Sequence, residues 1–159
     1  MDDFDKDLIL QWYEDLEGQL LAIMRYLPPA PENLNSYSPR LASLIMDACG
    51  LLGSILRQIT PDRVTVDGKS TSRKDLNIVH YGKLYTDKFG LASLKSIELI
   101  SPPKYRCPFA PWDALVSRGN YVPLPWWTTH TDLKHDRIVN LKTAGLVVAM
   151  ESLSRQSSL

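Results

Sequence analysis

The chain has no excess of either charge: 18 Lys and Arg balance 18 Asp and Glu over 159 residues. No global positive field steers a polyanion toward it, so nucleic-acid or membrane-surface binding would have to rest on a local patch. Cysteine is nearly absent. Cys49 and Cys107 cannot make a disulfide scaffold and lack the spacing of a zinc site, so no metal is expected. No apolar run approaches the roughly 18 residues of a membrane span. The opening MDDFDKD is acidic where a secretory signal is basic. These absences predict a cytoplasmic protein with no membrane partner. Glycine is scarcer than proline, 8 against 11, which favours stiff connections. No internal repeat and no shift of composition divides the chain, and its length suits one domain over residues 1–159.

What is present is an ordinary folded composition, 44% hydrophobic and 23% charged, with strong helical patterning. Phe4, Leu8, Trp12, Leu16, Leu20, Ile23, Met24 and Leu27 recur at steps of three and four, predicting a helix over 3–27. Pro28 and Pro29 stop it. Ser38 and Pro39 are a cap and first-turn proline for a second helix, whose stripe is Leu41, Leu44, Ile45, Ala48, Leu51, Leu52 and Ile55. Cys49 falls inside that pattern and reads as a small buried hydrophobe. The two helices are expected to pair antiparallel. The polar stretch from 60 to 72 reads as an outward loop, followed by a short helix over 74–85 capped by Thr71 or Ser72. Leu94 to Ile100 alternates like a strand. The segment 101–127 holds six prolines and three tryptophans, Trp112, Trp126 and Trp127, and reads as irregular chain pinned by aromatic anchors. A last helix is predicted over 128–153, with Ile138, Leu141, Ala144, Gly145, Val148 and Ala149 on one face, central to a bundle.

Two features invite chemistry. Gly68 to Ser70 spell GKS, but a phosphate loop needs a glycine five positions earlier, where Arg63 stands, and no buried strand precedes it. No nucleotide cofactor is expected there, nor any other cofactor. The second feature is HTDLKHDR, residues 130–137. On a continuous helix, His130, Lys134 and Arg137 share a narrow arc that runs on into Leu141, Ala144 and Val148. Cations on a buried face need carboxylates, a watery rim or a bound anion. In one reading, Lys134 and Arg137 pair with acids of the first two helices as a structural network. In the other, the cluster is a phosphate or catalytic pocket at the rim of a cleft, with Asp132, three residues before His135, holding that imidazole and raising its pKa.

The second half of the chain resembles a widespread bacterial family whose terminal helix carries W-x3-Y-N-x2-K-H-x-R-x2-N-F. The matching residues are Trp126, Lys134, His135, Arg137 and Asn140, with Pro108, Phe109 and Trp112 matching a preceding P-F-x-x-W. An early P-x-N-L-x-(S/T)-Y-S appears as Pro31 to Ser38, ahead of the helix with Cys49. The marks span roughly 26–155, most of the chain. That family is similar to the HEPN superfamily of helical bundles. The resemblance implies a mainly α, HEPN-like bundle with two long antiparallel helices, a central C-terminal helix and a short β element. Active HEPN members are metal-independent ribonucleases in which an arginine and a histidine act together across a dimer. Carried over, that implies His135 as base, Arg137 and Lys134 on phosphate, and His130, Asp132 and Asn140 beside them. Arg73 and His80 also match the Arg-x4-6-His spacing of such enzymes. This chain departs from the pattern: His130 and Thr131 replace the tyrosine and asparagine, and Gly50 to Gly53 read GLLG where a glutamate is typical.

Three functional readings follow. The first is a noncatalytic helical binding or assembly module of a bacterial defence, stress or mobile-element system. Its partner would be a second copy in a homodimer, or another protein held by the tryptophan-rich segment. The second is a metal-independent ribonuclease or RNA-binding effector built on the K-H-x-R cluster, and the third a domain sensing a small molecule or nucleotide in the same pocket.

Overall fold

Ser38 and Pro39 begin the helix that organises the molecule. The Ser38 hydroxyl accepts from the Leu41 amide (3.1 Å), and Pro39 occupies the first turn, where its missing N–H costs nothing. This helix, Pro39–Ile59, is α2; Asp3–Met24 is α1. The computed structural model describes residues 3–98 and 104–153. Two short antiparallel strand pairs follow separately: β1 (Arg63–Val66) with β2 (Lys69–Ser72), and β3 (Ser96–Glu98) with β4 (Lys104–Arg106). Between them lies α3, Ile78–Phe89. The chain closes with α4 (Trp112–Arg118), α5 (Pro125–His135) and α6 (Leu146–Ser152). The fold is therefore mainly helical with a small β component.

The centre is α2. Leu41, Leu44, Ile45, Ala48, Cys49, Leu51, Leu52, Ile55 and Leu56 are all buried, and α1, α5 and α6 pack against it. On length and mean hydropathy alone α2 could cross a bilayer, because isolated charges barely dilute its apolar run. That overturns the expectation of no such stretch. Its geometry speaks differently: Arg40, Ser43, Asp47, Gly50, Ser54 and Arg57 form an exposed polar strip along its length, and the opposite face is covered by protein. Burial of its apolar face at roughly 25 cal/mol per Å² is the main local source of stability.

The first helix forms where expected and keeps the predicted face from Leu16 onward, but its N-terminal half turns Ile9 and Tyr13 inward in place of Leu8 and Trp12. Leu16 and Leu20 are buried, with Ile9, Tyr13, Ile23, Met24 and Leu27 packed against the core. Leu8 and Trp12 are 49% exposed. Steps of four advance about 40° around a helix, so a row of consecutive i+4 spacings spirals off the contact face. The side chain of Phe4 lies outside the described residues.

The stretch expected to loop out after α2 is the β1–β2 hairpin, with Val64 opposite Thr71. Asp67 and Gly68 both take positive φ (52° and 76°), the geometry of a two-residue type I′ turn. The supposed phosphate-loop glycine is this turn. Helix α3 begins four residues later than its sequence pattern suggests. Ser72 caps only a single 3-10 turn, and Asn77 is the true cap, its Oδ1 accepting from the Val79 and His80 amides. The strand expected over 94–100 is β3, three residues long; Leu99 and Ile100 lie outside the described residues.

The predicted terminal helix is broken in two. After His135 the backbone of Asp136 is extended, and its carboxylate accepts from the amides of Ile138 (3.1 Å) and Val139 (3.0 Å). Asp136 thus caps a new turn instead of continuing the old one, as aspartate's short acceptor favours. After a single 3-10 turn at Leu141–Thr143 the chain re-enters α-helix at Leu146. There the amides of Leu146 and Val147 donate to the carbonyls of Ser36 and Leu34 (3.0 Å each), and Tyr37 bridges Gly145. Ile138, expected on the core face, is 90% exposed. The central element of the bundle is α2, not a long C-terminal helix.

Candidate functional site

The residues of the K-H-x-R stretch sit at the C-terminal end of α5 and in the turn beyond it. Asn140 closes that end: its amide Nδ2 donates to the Asp132 carbonyl (2.8 Å), and its backbone N–H to the Asp136 carbonyl (3.1 Å). Lys134 and His135 occupy the last helical turn, where cations suit the negative end of the helix dipole. Arg137 lies outside the helix, so the shared arc of His130, Lys134 and Arg137 does not exist. All of Lys134, His135 and Arg137 are exposed. Among the described residues no carboxylate pairs with any of them, so the structural ion-pair network expected with the first two helices is absent. Asp132 makes no hydrogen bond to His135, so nothing orients that imidazole as a base. Beside these cations Ile138 and Val139 project at 90% and 72% exposure, the first of them an aliphatic that sequence periodicity assigned to the core.

His130 differs from its neighbours. It is half-buried, its ring 4.9 Å from that of Trp127, and its Nδ1 is buried without a hydrogen-bond partner. Burial, and secondarily the Lys134 ammonium, hold its pKa below the ordinary 6.5. It is therefore neutral at pH 7 and adds no charge to the cluster. The sign of the linkage follows: the unfolded chain takes a proton near 6.5 that the folded one refuses, so stability is lost as pH falls below that value. The His130→Phe variant should lose less melting temperature than wild type between about pH 7 and about pH 5. Parallel pH profiles for the two proteins would show that His130 is not the responsible group.

Most other marks of the resemblance are structural. The Trp126 Nε1 donates to the Pro108 carbonyl (3.0 Å), and Phe109 packs against both Trp112 and Trp126. Trp112 and Trp126 are buried, as the anchor reading requires, and Trp127 is half-buried. Apolar exposure in this segment comes from Val116 and Val122. Leu34 and Ser36 receive α6, and Ser38 caps α2. Arg73 and His80 are spent likewise. The Arg73 guanidinium donates to the Arg57 and Thr60 carbonyls (3.3 and 3.1 Å) at the end of α2 and pairs with Asp62 (2.6 Å). His80 Nδ1 accepts from the Asn77 amide (3.1 Å), completing a capping box. Burial pushes the Cys49 thiol far up, which makes it unreactive. Among the described residues no three His, Cys, Asp or Glu side chains gather as metal ligands.

Two shallow cavities lie elsewhere. One, of about 380 Å³, lies between the hairpin turn and the α3–α4 pair; Val66, Leu84 and Leu115 line it, and the Lys83–Asp67 ion pair (2.6 Å) sits at its edge. The other, about 230 Å³, is lined by Ser54, Arg57, Gln58 and Arg73. Neither includes a residue of the 130–140 stretch. Compared with family models, curated proteins and solved structures, the chain finds no match.

Proposed function

We propose that this chain is a noncatalytic binding and assembly module, HEPN-like in kind, of a bacterial defence, stress or mobile-element system. Its recognition surface is the turn after α5. One observation carries the reading: among the described residues Lys134, His135 and Arg137 stand exposed without carboxylate partners, beside the exposed Ile138 and Val139. Almost every other residue of the shared pattern caps a helix or fills the core, whereas these five contribute little to either. A convex, rigidly capped turn with a mixed cationic and aliphatic surface suits docking better than enclosure of a small substrate. Acid–base catalysis needs a positioned imidazole, and His135 has no second group to orient it.

The test has two parts. Joint replacement of Lys134, His135 and Arg137 by alanine should leave stability within about 1 kcal/mol of wild type, as for surface changes away from packing. Labelled single-stranded RNA incubated with the wild type should remain intact. Marked destabilisation would make the cluster structural after all. RNA cleavage that His135→Ala and Arg137→Ala each abolish would establish the ribonuclease reading instead.

A further inference from the structure

The chain is neutral as a whole but strongly polarised. Helix α1 carries six carboxylates (Asp3, Asp5, Asp7, Glu14, Asp15 and Glu17) against the single Lys6. Everything outside α1 therefore holds an equal positive excess. Such separation creates complementary faces on one molecule. On α1, Leu8, Trp12 and Asp15 stand at i, i+4 and i+7, one solvent-facing row. Leu8 and Trp12 leave half their surface uncovered, an unusual placement for a tryptophan that a single chain does not need exposed. The turn after α5 offers the converse set: Arg137 and Lys134 as cations, Ile138 and Val139 as aliphatics.

Building on the reading above, we propose that the partner is a second copy of this chain, with the α5–α6 turn of one copy docking on the Leu8–Trp12–Asp15 row of the next. Arginine suits both halves of that row. Its guanidinium stacks on an indole face and takes a carboxylate in a two-pronged hydrogen bond. Ile138 and Val139 then cover Leu8 and the edge of Trp12. Tryptophan and arginine are also the side chains that dominate interface energetics. The contact joins two different faces, so it is heterologous and adds copies until a ring closes. Being charge-led at its rim, it weakens as salt rises.

Sedimentation velocity on the full chain tests this. The wild type should gain mass with concentration at low salt and lose that gain at high salt. Trp12→Asp, which spoils the row, and Arg137→Glu with Ile138→Asp, which spoils the turn, should each leave a folded monomer, checked by circular dichroism. Mixed in equal amounts, the two variants should pair one to one, because one intact turn meets one intact row and neither copy can extend further. A wild type that stays monomeric at every concentration overturns the proposal, as does a mixture that fails to pair. Association that survives both variants assigns it to another face and also overturns it. RNA cleavage would sink the noncatalytic reading whatever the sedimentation shows; a monomer that leaves RNA intact removes only the self-docking.

Discussion

Trp126→Ala is expected to remove a large part of the stability of this domain. The indole is 1% exposed, edge-on to Phe109 at 5.4 Å and to Trp127 at 5.9 Å, and its N–H holds the buried Pro108 carbonyl at 3.0 Å. Truncation in such a site costs about 3–5 kcal/mol in lost burial and residual cavity. Leaving a buried carbonyl without its donor adds about 1 kcal/mol or more. Domains of this size are stable by about 5–15 kcal/mol in all, so the variant should sit near its unfolding midpoint under mild denaturant. Trp126→Phe, which keeps a ring and loses the donor, should fall well short of that loss. Urea unfolding separates the two, and a Trp126→Ala loss below about 1 kcal/mol would mean the aromatic cluster is not holding the α4–α5 segment.

Gly82 gives the second large effect, in the opposite chemical direction. A Cβ there would lie 2.8 Å from Leu115 Cδ2 and 3.2–3.3 Å from two ring carbons of Trp112. Here α3 and α4 are in close contact. The leucine end can swing away, but the tryptophan, with no exposed surface, has nowhere to go. Overpacking of this kind costs about 1–3 kcal/mol, against about 1 kcal/mol gained from alanine's helix propensity. Gly82→Ala should therefore lose up to about 2 kcal/mol, and Gly82→Val more. Gly50 on α2 is the control, since a Cβ there meets nothing within 4 Å. Gly50→Ala should gain up to about 1 kcal/mol. If both alanine variants gain alike, α3 and α4 are not in that close contact.

How far the sequence could be read depended on whether periodicity and capping agreed. At α2 they did: an apolar stripe, a Ser-Pro start and a polar back all mark the same element, and its buried residues match the predicted stripe. At α1 the helix was plain and its inward face correct from Leu16 onward, but Leu8 and Trp12 were misplaced, because i+4 spacing alone cannot say when a row has spiralled outward. The hairpin at 63–72 had its turn written in Asp67-Gly68, yet its strands are only four residues long and β2 is polar throughout, so the alternation of Arg63–Val66 was too short to announce them. The candidate site suffered most. Its phase argument required one continuous helix through Asp136, a residue equally at home on a helix surface or as a cap. Nothing local distinguishes the two roles; the docking of Leu146 and Val147 on Leu34 and Ser36 decides it, and that contact spans more than a hundred residues.

The burial of Cys49 has a practical corollary. The thiol lies at 1% exposure on the helix that α1, α5 and α6 pack against, and burial suppresses its thiolate. Cys107, partly exposed, is the other thiol in the chain. In the folded protein an alkylating reagent meets Cys107 first, which permits site-selective attachment of a dye without mutagenesis. The slower modification of Cys49 then acts as a clock for opening of the core, since α2 yields that sulfur only when its neighbours come away.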